Sequence, residues 1–255
     1  MKTTIIIPAR YASSRYPGKP LVMLKGKSLI QRSWEAAMAV EGVSDVYVAT
    51  DDDRIRDAAL AFGAKVVMTA ESCANGTERL ADALPHLPET ADLYVNLQGD
   101  APLTPAWFVE DLIREMRAHP DVQMATPVLR CDAQTYANFV DDRQNGRVGG
   151  TTAVFDRNRN ALYFSKEVIP YTGKTFVEGD DIPVFHHVGV YAYRPEALLA
   201  YGSWPVGPLE RFEGLEQLRF LENGMPIRCV EVDGKGRVFW ELNNPVDVAR
   251  IESVI

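Results

Sequence analysis

TTIIIPARYASSRYPGKP, residues 3–20, opens as a β-branched run and breaks at Pro8 into a loop carrying Arg10, Arg15 and Lys19, the hydroxyls of Ser13 and Ser14, and Gly18. A short, uninterrupted β-branched run predicts a strand buried on both faces, as in a parallel sheet. Ligands of such sheets sit beyond the carboxyl ends of the strands, so this loop stands where an anion would be held. Backbone N–H groups and small side chains let an anion approach, while arginine adds a bidentate fork and lysine a point charge. The spacing is not that of a Walker loop, because G-x-x-x-x-G-K-[ST] is absent. A solvated basic loop capping the sheet is the plainer alternative; its position directly after the first strand favours the anion.

Outward from that loop the same alternation continues. Residues 28–40 place Leu29, Ile30, Trp34, Ala37 and Met38 near helical spacing. DVYVAT (45–50) is a second strand, 53–62 a helix closed by Gly63, KVVMT (65–69) a third strand and 77–84 a helix ending near Pro85. LYVNL (93–97), an amphipathic helix over 107–117 and a strand over 123–128 complete the run. Strand–helix–strand alternation with short connections predicts a parallel sheet covered by helices. The pattern breaks at the polar, turn-rich stretch 132–150. Strands at 151–155, 161–165 and 187–193 follow, then helices at 195–200 and 209–223, a strand at 227–232 and a closing helix over 245–254. The expected fold is α/β: a mostly parallel, doubly wound, Rossmann-like sheet with a smaller antiparallel insertion subdomain. Its expected division is 1–130, 131–226 and 227–255, the last part packing back on the core.

Composition narrows the function. A formal net charge of −8 argues against a general nucleic-acid or anionic-membrane binder, both of which need a basic surface. Phosphates must therefore be handled by a few clustered cations. The N-terminal apolar run ends at Pro8 after three isoleucines, too short for a signal core or a membrane span. Cys73, Cys131 and Cys229 are odd in number, widely separated and in no metal-type spacing, which predicts free thiols, a cytoplasmic protein and no zinc site.

Two further stretches carry chemistry. NLQGDAP, residues 96–102, puts Asp100 just past a buried strand, where one carboxylate can hold Mg²⁺ against substrate phosphates; a turn-starting aspartate is the ordinary alternative. SCANGTER, residues 72–79, puts Gly76 and Thr77 ahead of a helix whose first N–H groups can face an anion or a base edge. Simple capping by Thr77, with Glu78 in the first turn, fits equally well.

Taken in order, PARYASSRYPGKPL, ATDD (49–52), NGTERL (75–80), LQGDAP (97–102), ALYFSK (161–166), HHVGVYAYR (186–194) and LEQLRFL (215–221) resemble the 3-deoxy-D-manno-octulosonate cytidylyltransferases. The resemblance covers nearly the whole chain and implies a nucleotidyltransferase fold. It also implies transfer of CMP from CTP to an acid sugar, with Mg²⁺, release of pyrophosphate, a role in lipopolysaccharide or capsule synthesis, and a homodimer. By motif position, Arg10, Ser14, Arg15 and Lys19 would cradle the triphosphate, with Lys19, Arg10 and Asp100 carrying the catalysis. Pro8, Ala9, Gly76, Thr77, Arg79, Gln98 and Gly99 would line the nucleotide. His187, Tyr191, Glu216 and Gln217 would hold the sugar, with Lys166 near its carboxylate. The physics agrees, since nucleotidyl transfer depends on positioning and on neutralising negative charge. His187 and Tyr191 fall on alternate positions of one expected strand, a face that sheet core would also fill. Glu216 and Gln217 fall on an expected amphipathic helix, where polar residues need no special explanation.

Four departures from the family pattern stand out. Asn243 replaces the carboxylate that would be the second Mg²⁺ ligand, bringing an amide oxygen but no charge. Lys166 stands where the pattern has arginine, losing the fork that suits a carboxylate. Ala101 stands where the pattern has glutamate, and the segment 149–152 lacks the lysine often found there. These changes favour retained CTP use with a modified or related 3-deoxy-ulosonic acid as acceptor. The competing readings are a cytidylyltransferase for another acid sugar of the sialic type, and a catalytically weak nucleotide-binding regulator. A glycosyltransferase D-x-D pair at Asp51 to Asp53 is a weaker fit, because that stretch has the character of a turn before a helix.

Overall fold

The first strand is buried at every position, so its side chains divide between two cores rather than between core and solvent. In the computed structural model, which describes residues 1–12, 16–148, 150–237, 242, 244–245 and 247–255, β1 (Thr3–Ala9) lies between parallel neighbours β4 (Asp45–Thr50) and β6 (Leu93–Leu97). β5 (Lys65–Met68) pairs parallel outside β4, and a two-stranded hairpin, β2 (Met23–Leu24) with β3 (Lys27–Ser28), stands apart.

Ile5 and Ile7 enter a core with Ile30 and Ala37 of α1 (Leu29–Met38), Ile55 and Ala59 of α2 (Asp53–Ala61), and Phe108 and Leu112 of α4 (Ala106–Ala118). Ile6 enters the opposite core with Leu80 and Ala83 of α3 (Gly76–Ala83) and with Leu198 and Tyr201 of α6 (Pro195–Ser203). The expected doubly wound α/β architecture is what the chain adopts. Ser28, Asp52 and Asn75 each accept a backbone N–H at the start of their helix, satisfying donors that would otherwise be orphaned.

The second half widens the same sheet. The remaining strands are β7 (Met124–Arg130), β8 (Thr151–Phe155), β9 (Ala161–Ser165), β10 (Phe185–His187), β11 (Val190–Tyr193) and β12 (Arg228–Glu231). Among the described residues they complete a ten-stranded sheet of order β5-β4-β1-β6-β11-β7-β10-β8-β9, with β12 parallel to β7. β11 runs antiparallel to β6 and β7, and the β10–β8–β9 end is antiparallel throughout.

Four expectations need correction. The stretch expected to be turn-rich holds α5 (Ala133–Gln144), started by Asp132, whose carboxylate accepts the Thr135 N–H at 2.7 Å. Only Phe139 of that helix is buried, so no apolar stripe announces it. The single strand expected over 187–193 is two strands, because the chain changes partner at Val188 and Gly189: β10 pairs β8, β11 pairs β6. The helix expected over 209–223 is α7 (Pro208–Glu213) and α8 (Leu218–Glu222), interrupted where Gly214 adopts a left-handed φ of 62°. Glu216 and Gln217 therefore lie in the connector between helices. The last described helix, α9 (Asp247–Glu252), is shorter than expected. Among the described residues no helix is long and apolar enough to cross a membrane, and all three cysteines are buried free thiols.

Candidate active site at the carboxyl ends of the strands

Three backbone segments converge past the ends of β1 and β6, and glycine is what lets them meet. A Cβ on Gly99 would lie 2.7 Å from the Pro8 carbonyl oxygen. One on Gly76 would lie 3.0 Å from both Asn96 Nδ2 and Gln98 Nε2, and 3.3 Å from Pro8 Cγ. The end of β6 thus packs on the backbone of the end of β1 at Gly99 and Pro8, and the first turn of α3 packs at Gly76 against the side chains of Asn96, Gln98 and Pro8.

Lys19 and Asp100 meet at this junction. The basic loop turns at Gly18, which has a left-handed φ of 70° and donates its N–H to the Tyr11 carbonyl at 3.0 Å. That turn delivers the Lys19 Nζ to Asp100 Oδ2 at 2.6 Å, with both side chains only partly exposed. The Asp100 carbonyl accepts the Leu242 N–H at 2.8 Å, fastening the C-terminal segment to the same corner. Arg10 is exposed and donates to the Ala74 carbonyl at 3.1 Å, ahead of α3. Ser14, Arg15 and Asn243 lie outside the described residues.

The start of α3 forms the floor. Thr77 and Arg79 are buried. The Thr77 hydroxyl lies 2.7 Å from the Tyr193 hydroxyl. Arg79 donates to Thr69 Oγ1 at 2.6 Å and stands 3.5 Å from Asp51, while its Nη2 is buried with no hydrogen-bond partner. Asp51 thus accompanies a buried arginine, which counts against a metal-binding D-x-D pair. Glu216 reaches across from the α7–α8 connector, taking the Thr77 N–H on Oε2 at 3.0 Å and the Gln98 side-chain amide on Oε1 at 3.3 Å. Desolvation pushes its carboxyl up to about 7, the Glu210 and Glu78 carboxylates add to the push, and the Thr77 hydrogen bonds oppose it.

Behind Glu216 lies an ion-paired network that the sequence did not single out. Buried Arg219 binds Glu210 through two contacts, at 2.6 and 2.7 Å, and Glu78 at 2.8 Å, and stacks 4.1 Å from the centre of the Tyr201 ring. Burial works against the guanidinium charge, but the hydrogen bonds to Glu210 and Glu78 outweigh it and raise its pKa. Asn75, already capping α3, also donates to the Tyr201 hydroxyl at 2.9 Å.

The remaining expected residues lie beside this network. His187 is buried, with Nε2 3.0 Å from the Thr126 hydroxyl and its ring 5.5 Å from that of Tyr191. Burial, helped by His186, lowers its pKa to about 3, so it is a neutral hydrogen-bonded imidazole. Tyr191 donates to Gln217 Oε1 at 3.2 Å, leaving Gln217 Nε2 buried without a partner. Lys166 follows β9; its N–H donates to Glu213 at 2.9 Å and its ammonium packs over Gly214, 2.9 Å from where a Cβ would be.

A doubly wound sheet with a cation-bearing loop after β1, an acidic residue after β6 and a helix start between them is an architecture of nucleotidyltransferases. The chain belongs, more narrowly, to the cytidylyltransferase family, whose sequence profile matches residues 4–227. It is 46% identical over 255 residues to a 3-deoxy-manno-octulosonate cytidylyltransferase of Maricaulis maris, covering 100% of this chain and 97% of that protein. It is 45% identical over 230 residues to an 8-amino-3,8-dideoxy-manno-octulosonate cytidylyltransferase of Shewanella frigidimarina, covering 89% of each. A solved structure of CMP:2-keto-3-deoxy-manno-octonic acid synthetase complexed with CTP superimposes with a TM-score of 0.85 at 37% identity, covering 99% of this chain and 98% of that one. The 4-diphosphocytidyl-2C-methyl-D-erythritol synthase of Anaerococcus prevotii, at 10% identity and a TM-score of 0.60, shares the fold.

Proposed function

We propose that the protein transfers CMP from CTP to the anomeric hydroxyl of a 3-deoxy-ulosonic acid, 3-deoxy-manno-octulosonate or a close relative, and releases pyrophosphate. The carrying observation is the Lys19–Asp100 pair at the joint mouth of β1 and β6, in a chain that is 46% identical along its full length to a 3-deoxy-manno-octulosonate cytidylyltransferase.

In this reading Pro8, Ala9, Gly76, Thr77, Arg79, Gln98 and Gly99 line the nucleotide, with Gly76 and Gly99 holding the strand ends and the start of α3 in close contact. Arg10, Ser14, Arg15 and Lys19 neutralise the triphosphate. Lys19 turns from Asp100 toward phosphate oxygens as charge builds there. The acceptor hydroxyl, losing its proton, bonds to the α-phosphorus while the bond to pyrophosphate breaks. Asp100 suits Mg²⁺: one oxygen faces Lys19, the other has no protein partner among the described residues, and Mg²⁺ is held by one or two carboxylates with phosphates and water completing its shell. Bound there, Mg²⁺ would supply neutralisation of the leaving pyrophosphate; Asn243 would be its second protein ligand.

His187, Tyr191, Gln217 and Glu216 would hold the sugar, with Lys166 toward its carboxylate. Residues 131–226 would carry the acceptor and a homodimer contact, with residues 1–130 the nucleotide part and 227–255 packing back on it. The enzyme would work in the cytoplasm, supplying lipopolysaccharide or capsule assembly. An 8-amino-3,8-dideoxy acceptor is a second reading, favoured by relatives of nearly equal identity that carry that name. Pyrophosphate release with CTP against a panel of 3-deoxy-ulosonic and sialic acids, with mass analysis of the product, tests both. Rapid turnover of a sialic acid and none of the octulosonates would refute the proposal, and nucleotide binding without release would mark a regulator.

A further inference from the structure

Arg143, in the last turn of α5, and Lys166, just past β9, line one narrow cleft with Phe139, Gly150, Thr152 and Val168. Arg143 Nη2 is buried with no hydrogen-bond partner, a rare and costly state for a guanidinium N–H. Three acids beside these cations are occupied elsewhere. Asp141 and Asp142, beside Arg143 in sequence, both pair with Arg147, at 2.7 and 2.8 Å. Glu213, beside Lys166, accepts from Ser165 Oγ, Tyr163 Oη and the Lys166 N–H. Gly150 closes the cleft wall against Phe139, where a Cβ would come within 2.7 Å of the ring.

Strand register puts the cleft over the nucleotide crevice. Val190 of β11 pairs Leu97 at the carboxyl end of β6, and three residues earlier His187 pairs Thr151 at the start of β8. Ser165, next to Lys166, pairs Thr152. The beginning of β8 and the end of β9 therefore stand directly beyond the end of β6.

We propose that Arg143 is a specificity-determining contact for the acceptor, forming with Lys166 a two-cation seat for the carboxylate of an acid sugar. The proposal rests on the acid-sugar reading above. Lys166 offers only a point charge where a carboxylate is best held by a fork, and Arg143 supplies the fork from a different element.

The test is steady-state kinetics with CTP and 3-deoxy-manno-octulosonate, beside its C1 amide, on wild type, Arg143→Met and Arg143→Lys. Arg143→Met should raise the acceptor KM about tenfold to a hundredfold, as loss of a charged hydrogen-bonded contact does. The KM for CTP should stay within about twofold, and the preference for acid over amide should shrink by the same factor as the acceptor KM rises. Arg143→Lys should restore part of both, which a merely structural role would not produce. If Arg143→Met does not fold, judged by its thermal transition and CTP binding, Arg143→Lys carries the test, with a rise in acid KM expected and an unchanged one overturning the seat. A wild type that turns over the acid, with Arg143→Met unchanged in KM and in acid preference, overturns the seat alone. A wild type that uses no 3-deoxy-ulosonic acid overturns the functional reading and the seat together.

Discussion

Replacing Glu216 by glutamine should remove a pH-dependent loss of stability. In the native state the Glu216 carboxyl is raised from 4.5 to about 7 by desolvation, with Glu210 and Glu78 nearby and only the Thr77 hydrogen bonds favouring the anion. A carboxyl whose native pKa exceeds its unfolded one contributes stability fully present below pH 4.5 and lost as pH rises through 7. The shift corresponds to about 3 kcal/mol by the top of that window. The glutamine variant stays neutral throughout, keeps an acceptor for the Thr77 N–H, and needs only a flip of the Gln98 amide to keep the second bond. Glu78 and Glu210, the carboxylates that face Glu216, and Arg219 and Tyr193 around it, are present in both proteins, so the comparison varies position 216 alone. Urea unfolding of both proteins between pH 5 and 8.5 should show the variant gaining on wild type as pH rises, by about 3 kcal/mol in total. In thermal scans this is about 6 °C or more for a chain of this size. A difference constant to within about 0.5 kcal/mol across the range would mean that the connector does not desolvate Glu216 and that its hold on α3 is misread.

The remaining predictions concern the metal corner and the buried network. Asp100→Ala should lower kcat about a thousandfold, and Lys19→Met by about a hundredfold or more, both read from pyrophosphate release at saturating CTP; a variant within threefold of wild type, about 0.7 kcal/mol, would remove that residue from the chemistry. Asn243→Asp should lower the Mg²⁺ concentration for half-maximal rate by about tenfold, because a charged ligand replaces a neutral one; an unchanged Mg²⁺ titration would show that position 243 is not a ligand. Arg219→Met should cost about 3–5 kcal/mol by stranding buried Glu210, and adding Glu210→Gln should recover part of the loss in denaturant midpoint. Additive losses in the double variant would mean that the two are not a coupled pair.

What the sequence disclosed depended on whether the cause was local. β4 and β6 begin and end where their apolar runs do, because strands buried on both faces need little beyond composition. Arg10, Lys19 and Asp100 were legible because chain order puts them just past strands. α5 was hidden because it buries one residue and so carries no stripe, although Asp132 was a visible capping signal. Gly214, likewise, was a breaker in plain view within an otherwise helical pattern. The split between β10 and β11 had no local sign, since it records a change of partner strand. Arg219 and Glu78 are 141 residues apart, and only the fold could bring them together.

The connector 214–217 is where the two halves of the sheet become one site. Its left-handed Gly214 ends α7 and gives the Lys166 ammonium room that any side chain would take. Two residues on, Glu216 holds the α3 N–H of Thr77 and the β6-end amide of Gln98. The next residue, Gln217, accepts from Tyr191 of β11, and Arg219 ties α8 back to Glu78 of α3. Glu216 and Arg219 thus attach this segment to α3 and the end of β6, while Gln217 attaches it to β11. Burial raises the Glu216 carboxyl, so its hold on the Thr77 N–H weakens when it is protonated. An acceptor hydroxyl donating to that carboxylate would favour the charged form and tighten the grip on Thr77. With Glu216 in its proposed acceptor role, acceptor binding would thereby tighten the contact between the connector and the start of α3.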